Sequence, residues 1–339
     1  MNPRRRFSFY ARGLSAAILL VAISGWETPT FAQTKVVIGT GKDPNLGAPL
    51  IIAQEKGYFR DAKVDVELKY FPTGGDTIAA FVGGSIHLGS SGLTPTTHLR
   101  ARPYPVKVVA RVSDISGAQQ LVVKQSVKSL QELYGKKIGL LRGTASDAFF
   151  NSILKSYGLD ASKFEIINMG PTEMLQGFVR GAVDAVSLWE PHSTRARKAG
   201  NGKVLVSATH SFLDGKPVAK RVYGDHSVLF ASDTYVKENS AAIRAVLTAV
   251  ARADEFIEKN RKEAVAMLAK EFNLEPADMA DVMSVNRYTL QLDEQMAADM
   301  NHLARFLHGL GRIKSVPEAH EWIDPAPLKA VRADLVKLQ

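Results

Sequence analysis

Apolar positions recur along the first part of the chain with two periods, and their order predicts strands that alternate with helices. Runs with a period of two that are rich in β-branched residues predict strands; they are KVVIGT (35–40), VDVELKYF (64–71), SIHLG (85–89) and VKVVARV (106–112). Two helices are predicted between them. One is APLIIAQEKG (48–57), with Gly57 as a left-handed stop, and the other extends from Thr73 to Val82.

The second part of the chain repeats this order. Strands are predicted at KKIGLL (136–141), KFEIINM (163–169) and AVDAVSLW (182–189), with helices over 147–157, stopped at Gly158, and from Pro171 to Gly181. The segment FVGGSIHLGS (81–90) returns 97 residues later as FVRGAVDAVS (178–187). Alternating strands and helices favour right-handed crossovers and a mostly parallel sheet. The repeat therefore predicts two similar α/β lobes that face each other.

Beyond residue 215 the pattern becomes mainly helical. VYGDHSVLFAS (222–232) predicts one more strand, and long amphipathic helices follow at Ala241–Glu258, Lys262–Phe272 and Glu294–Leu307. In the last helix the apolar residues Met296, Met300, Leu303 and Leu307 fall on one face, and Gly309 is expected to end it. These helices are expected to form a C-terminal extension that packs against a lobe.

The N-terminus has the pattern of a secretory signal peptide. Four arginines in the first twelve residues precede a short apolar run from Leu14 to Ile23, and the small-residue pattern ends at Ala32. The apolar run is too short to span a bilayer. We expect cleavage after Ala32, so that residues 1–32 are removed. No cysteine follows for lipid attachment, which predicts a free, soluble periplasmic protein.

Composition and charge limit further the class of protein to which this chain can belong. The chain has 339 residues, of which 45% are hydrophobic and 23% charged, and it has no cysteine for disulfides. The full chain carries a net charge of +9, and residues 1–32 hold four of the 43 basic and one of the 34 acidic residues. The remaining basic residues alternate with acidic ones along the helices, so no nucleic-acid partner is predicted. No metal-ligand spacing, P-loop or nucleophile elbow is present, and no cofactor is expected.

The loops that follow the predicted strands are rich in glycine and hydroxyl residues. In open parallel sheets, ligands bind at the carboxyl ends of the strands, and helix N-termini there attract anions. Candidate ligand-binding residues of this kind are Thr40, Gly41, Ser90, Ser91 and Thr94 in the first lobe and Thr144 and Ser146 in the second. Each hydroxyl could instead serve only as a helix N-cap. Several such loops directed at one cleft favour an anion site.

The order and spacing of these segments resemble one family. The run from PLIIAQEKGYF to HLGSSGL, then SLQELYGKKIGLLRGTASDAFF, then VRGAVDAVSLWEP, resembles the sulfonate-, taurine- and nitrate-type periplasmic binding proteins of ABC importers. The resemblance implies lobe 1 from residues 34–118 plus 224–339 and lobe 2 from residues 119–223. It also implies that Trp189, Glu190, Asp225 and His226 lie beside the ligand. The implied partners are a small organic anion and the permease and ATPase subunits, with the binding protein a monomer.

The ligand class stays open within this resemblance. A sulfonate head suits the Gly/Ser/Thr loops, and a carboxylate suits them nearly as well. Trp189 could cover an aliphatic or an aromatic body, while Glu190 or Asp225 could hold an amine. The best expectation is an aliphatic sulfonate or a taurine-like compound. Alternatives are an aromatic carboxylate, a pyrimidine vitamin precursor, and a pyrimidine-synthase-like enzyme, against which the signal peptide argues.

Overall fold

The structure, a computed structural model, describes residues 35–338. The predicted signal peptide and its cleavage site after Ala32 lie outside the described residues. The described residues belong to one compact unit. Among the described helices, none has the length and apolar character needed to cross a bilayer.

Strands and helices alternate through the first two thirds of the chain, as the pattern predicts. The strands are β1 (Lys35–Gly41), β2 (Asp65–Phe71), β3 (Leu88–Gly92), β4 (Val106–Asp114), β5 (Gln119–Lys124), β6 (Lys137–Leu140), β7 (Glu165–Asn168), β8 (Ala185–Trp189), β9 (Gly202–Ser207), β10 (His210–Ser211), β11 (Val218–Ala219), β12 (His226–Ser232), β13 (Arg287–Asp293) and β14 (Val336–Lys337).

The helices are most numerous in the last third of the chain. They are α1 (Pro44–Glu55), α2 (Tyr58–Asp61), α3 (Gly74–Val82), α4 (Leu93–Arg100), α5 (Ala145–Ser156), α6 (Pro171–Arg180), α7 (His192–Ala199), α8 (Asp233–Glu238), α9 (Ser240–Lys259), α10 (Arg261–Phe272), α11 (Pro276–Ser284), α12 (Glu294–Gly309), α13 (Ala319–Trp322) and α14 (Ala326–Val331).

The strands form two seven-stranded sheets. The first has the order β14-β13-β4-β12-β3-β1-β2, and the second has the order β11-β10-β9-β5-β8-β6-β7. Strand β1 pairs in parallel with β2 and β3, and β6 pairs in parallel with β7 and β8. The prediction of two α/β sheets flanked by helices is therefore confirmed. The sheets are mixed, however, and not mostly parallel.

The antiparallel pairs arise where the chain crosses from one sheet to the other. β5 begins at Gln119, just after the first crossing, and Gln119 pairs with Trp189 at the end of β8. β12 begins just after the return crossing, and Ser227 pairs with Gly92 at the end of β3. A strand that starts where its neighbour ends must run in the opposite direction. Both crossing segments therefore lie at the strand ends where ligands bind in this type of sheet.

The duplicated segment occupies equivalent elements in the two sheets. Strand β3 (88–92) and strand β8 (185–189) are separated by the same 97 residues as the sequence repeat. Phe81 and Phe178, which occupy matching positions, are both buried beneath their sheets. Gly57 and Gly181 have the positive φ angles expected of residues that end helices.

Several element boundaries differ from the sequence expectation. Helix α1 begins at Pro44 and not near residue 48, because the Asp43 side chain caps its first turn. The third strand is Leu88–Gly92 and not 85–89, and the return strand starts only at His226. Gly309 is the last residue of helix α12. The residue with the positive φ angle that follows the helix is Gly311 and not Gly309.

The C-terminal region contributes more than supporting helices. Strand β13 pairs with β4 and so extends the first sheet. The predicted apolar face of α12, formed by Met296, Met300, Leu303 and Leu307, is buried. Helices α9 and α10 pack against α1. The region thus completes the first sheet and fixes α1, whose N-terminus lies at the candidate site.

Candidate functional site

A pocket opens at the carboxyl ends of the parallel strands, and we call it the cleft pocket. On the side of the first sheet it is lined by Asp43 and Asn45 after β1, by Thr73 and Gly74 after β2, and by Gly92 at the end of β3. The free space is about 450 Å³, including its opening to solvent. These residues sit at the N-termini of α1, α3 and α4, so three helices of this sheet point at one space.

The second sheet and both crossings close the cleft pocket. Thr144 at the start of α5 and Trp189 at the end of β8 line it from the second sheet. Ile115 and Gln119 belong to the first crossing, and Asp225 belongs to the return crossing. The pocket therefore takes its wall from both sheets and from both segments that join them.

Asp43 is a buried carboxylate that caps the first turn of α1. Its Oδ1 accepts hydrogen bonds from the backbone N–H groups of Asn45 and Leu46, at 2.9 and 3.0 Å. Burial raises the pKa of Asp43 to about 6, and these hydrogen bonds oppose the rise. The N-terminal N–H groups of α1 are thus already matched to an acceptor of the protein itself.

Asp225 is a second buried carboxylate, and it accepts a hydrogen bond at the N-terminus of helix α4. Its Oδ1 accepts from the Leu93 N–H at 3.1 Å, and its Oδ2 accepts from the Gln119 side-chain amide at 3.1 Å. The residue is fully buried. Burial raises the pKa of Asp225 to about 7, the hydrogen bonds from Leu93 and His226 lower it, and the nearby carboxylates raise it further. Asp225 can therefore bind or release a proton near neutral pH.

Gln119 presents an unused acceptor beside this carboxylate. The side chain is 2% exposed, and its Oε1 has no hydrogen-bond donor among the described residues. Its Nε2 is committed to Asp225, so the oxygen must face elsewhere. A buried polar atom without a partner is rare in native proteins. The carbonyl oxygen of Gln119 is thus enclosed without a hydrogen-bond donor among the described residues.

Trp189 supplies an aromatic wall. It is 8% exposed and lines the cleft pocket at the end of β8. The His192 ring packs edge-on against it, with ring centroids 5.8 Å apart. Burial, together with the positive charge of Arg195, lowers the pKa of His192 to about 4. His192 is therefore a neutral ring at neutral pH and supports the indole by packing.

Glu190 and His226, both expected beside the ligand, do not line the cleft pocket. The Glu190 carboxylate accepts from the N–H and hydroxyl of Thr194, each at 3.0 Å, and from the Gln120 amide at 3.1 Å. The His226 Nε2 lies 2.8 Å from Asp299 Oδ2. Both side chains are buried and bonded to neighbouring elements. Any contact with a ligand would require rearrangement, and these two assignments stay predictions.

The hydroxyls of Thr144 and Ser146 are also used within the protein. Thr144 Oγ1 donates to the Leu141 carbonyl at 2.7 Å and accepts from the Ser146 N–H at 3.3 Å. Ser146 Oγ donates to the Ser187 carbonyl at 2.6 Å. Each hydroxyl proton is therefore already donated to the backbone. Thr144 still lines the pocket, while Ser146 is fully buried beneath it.

The first-lobe candidates lie behind the pocket wall. Thr40, Ser90, Ser91 and Thr94 are buried, and none of them lines the cleft pocket. Ser90 donates to the Leu46 carbonyl at 2.8 Å, and Thr94 shares a hydrogen bond with a buried tyrosine. The Oγ atoms of Thr40 and Ser91 have no partner among the described residues. For these residues, and for Gly41, ligand contact remains a prediction.

Sequence reasoning placed the loops of Asp43 and Thr73 at the ligand-binding ends of the strands but did not name these residues, or Gln119, as ligand contacts. Asp43 precedes Pro44, a sequence typical of a helix N-cap, and this signal could have placed a carboxylate at the start of α1. Gln119 carried no comparable signal, because strand β5 was not predicted. Thr73 lies in a loop that follows a predicted strand, and it forms a capping box with Asp76 at the start of α3.

Polar contacts join the two sheet-bearing parts of the chain. The pairs are Asn45 with the Glu190 carbonyl, Arg195 with the Phe272 carbonyl, Lys198 with Asp278, and Arg312 with Asp147. Each pair has one partner in residues 119–223 and one outside that range. The structure therefore has the two parts in contact through side chains of several elements. Within residues 35–338, no group of three or more potential metal ligands occurs.

Relatives of this chain include named binding proteins. A putative aliphatic sulfonates-binding protein of Escherichia coli is 27% identical over 206 residues, which is 60% of this chain and 61% of that protein. The taurine-binding periplasmic protein of E. coli is 25% identical over 170 residues, or 50% of this chain and 52% of that protein. A pyrimidine phosphate synthase of Saccharomyces cerevisiae is 25% identical over 221 residues, covering 62% of each.

The fold has a close counterpart among solved structures. The periplasmic aliphatic sulphonate binding protein of Escherichia coli superposes with a TM-score of 0.72 at 22% identity, covering 85% of this chain and 97% of that one. That similarity establishes the two-sheet binding-protein fold. A sequence profile of the family described as NMT1/THI5 like matches residues 45–264. This chain belongs to the NMT1/THI5-like family.

Proposed function

We propose that this chain is the periplasmic substrate-binding component of an ABC importer. It captures a small organic anion, an aliphatic sulfonate or a taurine-like compound, between lobe 1 (34–118 plus 224–339) and lobe 2 (119–223). The closed, loaded form is then recognised by a membrane permease, and a separate ATPase subunit spends the ATP. In this function the protein binds and releases its ligand and carries out no covalent chemistry.

The observation that carries the proposal is the construction of the cleft pocket. Its walls come from the carboxyl ends of strands in both sheets, and the two crossings form its floor. A ligand there contacts both parts at once, so its binding free energy favours the arrangement in which they meet. Closure of two domains about a few hinge residues is an established form of ligand response.

An anionic head has two facing helix N-termini available. Thr73 and Gly74 open α3 on one wall, and Thr144 and Ala145 open α5 on the other. Each helix N-terminus carries about half a positive charge and N–H groups directed out of the helix. The aromatic face of Trp189 is available to the body of the ligand. A short compound with one anionic end fits this distribution.

Export and partners follow from the same proposal. The basic head and apolar run before Ala32 favour transport across the inner membrane. The E. coli relatives are named as a taurine-binding periplasmic protein and a sulfonates-binding protein. We propose a free periplasmic monomer, without a lipid anchor, that meets its permease at the membrane surface.

Two alternatives have the same fold. In the first the ligand is different, and in the second the bound compound is chemically converted. An aromatic carboxylate or pyrimidine would stack on Trp189 in place of an aliphatic body. The observation that supports a synthase-like enzyme is the sequence similarity to the yeast pyrimidine phosphate synthase. The identity of the bound compound distinguishes the first alternative from the main proposal. Chemical change of the bound compound distinguishes the second.

The test is a thermal-shift screen of the protein lacking residues 1–32, followed by calorimetry. The panel contains aliphatic sulfonates, sulfate esters, aromatic carboxylates and pyrimidines. A ligand present at 100 times its dissociation constant should stabilise the fold by about 2.7 kcal/mol. Binding of a sulfonate that is recovered chemically unchanged supports the proposal. Binding only of pyrimidines, or turnover of the bound compound, would replace it with the corresponding alternative.

A further inference from the structure

We infer that Asn45 is a latch between the two proposed lobes, because its side-chain amide bonds lobe 1 to the backbone of lobe 2 beside the cleft pocket. The bond retains a captured molecule by keeping the lobes together and not by touching that molecule. This inference rests on the proposed function and deepens it, since it assigns slow release to one positioning residue. The group through which Asn45 acts is the Glu190 backbone carbonyl.

The first observation is the contact itself, which joins two buried groups of different lobes. Asn45 lies in the first turn of α1 and Glu190 follows the end of β8, and both residues are 2% exposed. The Asn45 Nδ2 donates to the Glu190 carbonyl, 145 residues along the chain. The bond exists only while the two lobes are in contact. It therefore contributes to their closed arrangement and not to either lobe alone.

The second observation is that lobe 1 fixes the direction of the Asn45 amide. Asn286 Nδ2 donates to the Asn45 Oδ1 at 2.8 Å and to the Val282 carbonyl at 3.3 Å. Because a backbone carbonyl only accepts, the nitrogen of Asn286 must face it, and that nitrogen then donates to Asn45 as well. The Asn45 oxygen therefore faces Asn286, and its NH₂ group is left to face Glu190.

The backbone of Asn45 is also held within lobe 1. Its N–H donates to Asp43 Oδ1 at 2.9 Å, and its carbonyl accepts from Ser113 Oγ on β4 at 2.7 Å. A residue that is already bonded through its backbone and its side chain loses little conformational freedom when it makes one more contact. The donor of the latch is thus preorganised before the lobes meet.

The third observation is that the acceptor of the latch is held just as firmly in lobe 2. The Glu190 N–H donates to the Ala118 carbonyl at 3.1 Å, and the Glu190 carboxylate accepts from the N–H and the hydroxyl of Thr194, each at 3.0 Å. Glu190 directly follows Trp189, which lines the cleft pocket. The latch therefore connects the start of α1 to the end of the strand that carries Trp189.

A competing interpretation makes Asn45 a core residue that only stabilises the fold. The substitution Asn45→Asp separates the two interpretations, because it hardly changes the shape of the side chain. One carboxylate oxygen still accepts from Asn286, while the other replaces the NH₂ group and faces the Glu190 carbonyl. Two acceptors repel each other there only while the lobes are in contact. The substitution therefore acts on closure more than on the fold of lobe 1.

The test measures the rates of binding and release by stopped-flow tryptophan fluorescence, with taurine and ethanesulfonate as probes and the protein lacking residues 1–32. We expect Asn45→Asp to release a bound probe about 10- to 100-fold faster, since a buried acceptor loses its donor. The association rate should change less than about three-fold, because the encounter with the probe precedes closure. Urea unfolding of the same variant measures the stability of the fold separately.

Asn301→Asp is the matched control for the added charge. The Asn301 Oδ1 accepts from the Ala319 N–H within lobe 1, and a carboxylate keeps that acceptor. The control should release both probes at the rate of the unmodified protein. If Asn45→Asp does not fold, Asn45→Ala removes the donor of the latch without adding a charge. Its expected effect on release is about 2- to 10-fold, the range for loss of one neutral hydrogen bond.

The outcomes separate the inference from the proposed function. If Asn45→Asp loses stability but releases a probe at the original rate, Asn45 is a core residue and the inference is wrong, while a binding protein remains. If the control accelerates release equally, the added charge is the cause and the inference is again wrong. If neither probe binds the unmodified protein, the proposed ligand class fails. The inter-lobe distance of the ligand-free protein then decides, because Asn45→Asp should lengthen it and an unchanged distance overturns the latch.

Discussion

Gln119 and Asp225 join the two chain segments that cross between the sheets, because the Gln119 amide donates to the Asp225 carboxylate at 3.1 Å. The Ile115 N–H also donates to the Asp225 carbonyl, at 3.0 Å, and Ser116 Oγ accepts from the Asp225 N–H at 3.0 Å. The two crossings are therefore bonded to each other at the floor of the cleft pocket. These bonds link the two segments about which the proposed lobes would move.

Trp189→Ala should lower both the stability of the fold and the affinity for the ligand, and the loss of stability should be the larger. The residue is 8% exposed, so only about 20 Å² of the roughly 150–250 Å² of an aromatic side chain can meet a ligand. At ~25 cal/mol per Å² that area corresponds to about 0.5 kcal/mol, or roughly two-fold in affinity, whereas truncation of a buried tryptophan costs about 3–5 kcal/mol of stability. Calorimetry and urea unfolding measure the two effects separately. A loss of affinity above about 30-fold at unchanged stability would show that most of the indole meets the ligand.

Thr144→Ala should reduce stability by about 0.5–2 kcal/mol, the range for loss of a helix N-cap. The structure changes the expectation drawn from sequence, since the Thr144 hydroxyl is donated to Leu141 and that of Ser146 to Ser187. The affinity of an anionic ligand should change less than the stability. Urea unfolding together with calorimetry checks this. A loss of several kcal/mol in binding at unchanged stability would restore the Thr144 hydroxyl as a ligand donor.

Lys198→Ala should favour an arrangement in which the two proposed lobes are apart. Lys198, within residues 119–223, bonds to Asp278, outside that range, and an ion pair of this partly exposed kind contributes about 0.2–1 kcal/mol. We expect ligand dissociation to be faster by a few-fold at most, and less so in high salt. The matched control is Lys259→Ala, which removes an exposed pair within α9. Equal dissociation rates for Lys198→Ala and the control in low salt would show that the ion pair between Lys198 and Asp278 does not contribute to closure of the two lobes.

Asp254 should make the protein less stable as the pH rises. Burial raises the pKa of Asp254 to about 8, above the value of about 3.9 in an unfolded chain. Between these values the folded state binds the proton and the unfolded state does not, so the free energy of unfolding falls with pH. This contribution is complete below about pH 4 and is lost by about pH 8.

Asp254→Asn should flatten that part of the profile. The slope attributable to this residue is at most about 1.4 kcal/mol per pH unit. Urea unfolding of both proteins at pH 5 and pH 8 gives the difference. The variant should gain stability relative to the original protein at pH 8. Parallel profiles for the two proteins would show that Asp254 is not the group that titrates.

The repeated unit was predictable because it depends on local pattern. The 97-residue spacing of FVGGSIHLGS and FVRGAVDAVS matches the spacing of β3 and β8, although both strands begin three residues later than predicted, and Gly57 and Gly181 end helices as expected. These features need only periodicity and the backbone freedom of glycine. The mixed direction of the sheets was not predictable in this way, because β5 and β12 take their direction from crossings between distant parts of the chain.

The pocket was predictable in position but only partly in its residues. Thr144, Trp189 and Asp225 were expected there and do line it. Ser146 was expected as a donor, but its hydroxyl bonds to a carbonyl 41 residues away, a contact that no local pattern indicates. Gln119 was missed because its role depends on Asp225, which is 106 residues distant. Long-range hydrogen bonds decide which polar groups remain available to a ligand.

The measurement that tests ligand capture most directly is the distance between labels on the two lobes. The chain has no cysteine, so Val82→Cys with Val179→Cys gives two unique labelling sites on exposed, equivalent positions of the repeat. A pair within one lobe, Val82→Cys with Lys259→Cys, is the control. The account predicts a long-distance population without ligand, a single shorter distance at saturation with a calorimetrically proven ligand, and no change in the control. Identical inter-lobe distances with and without that ligand would contradict it.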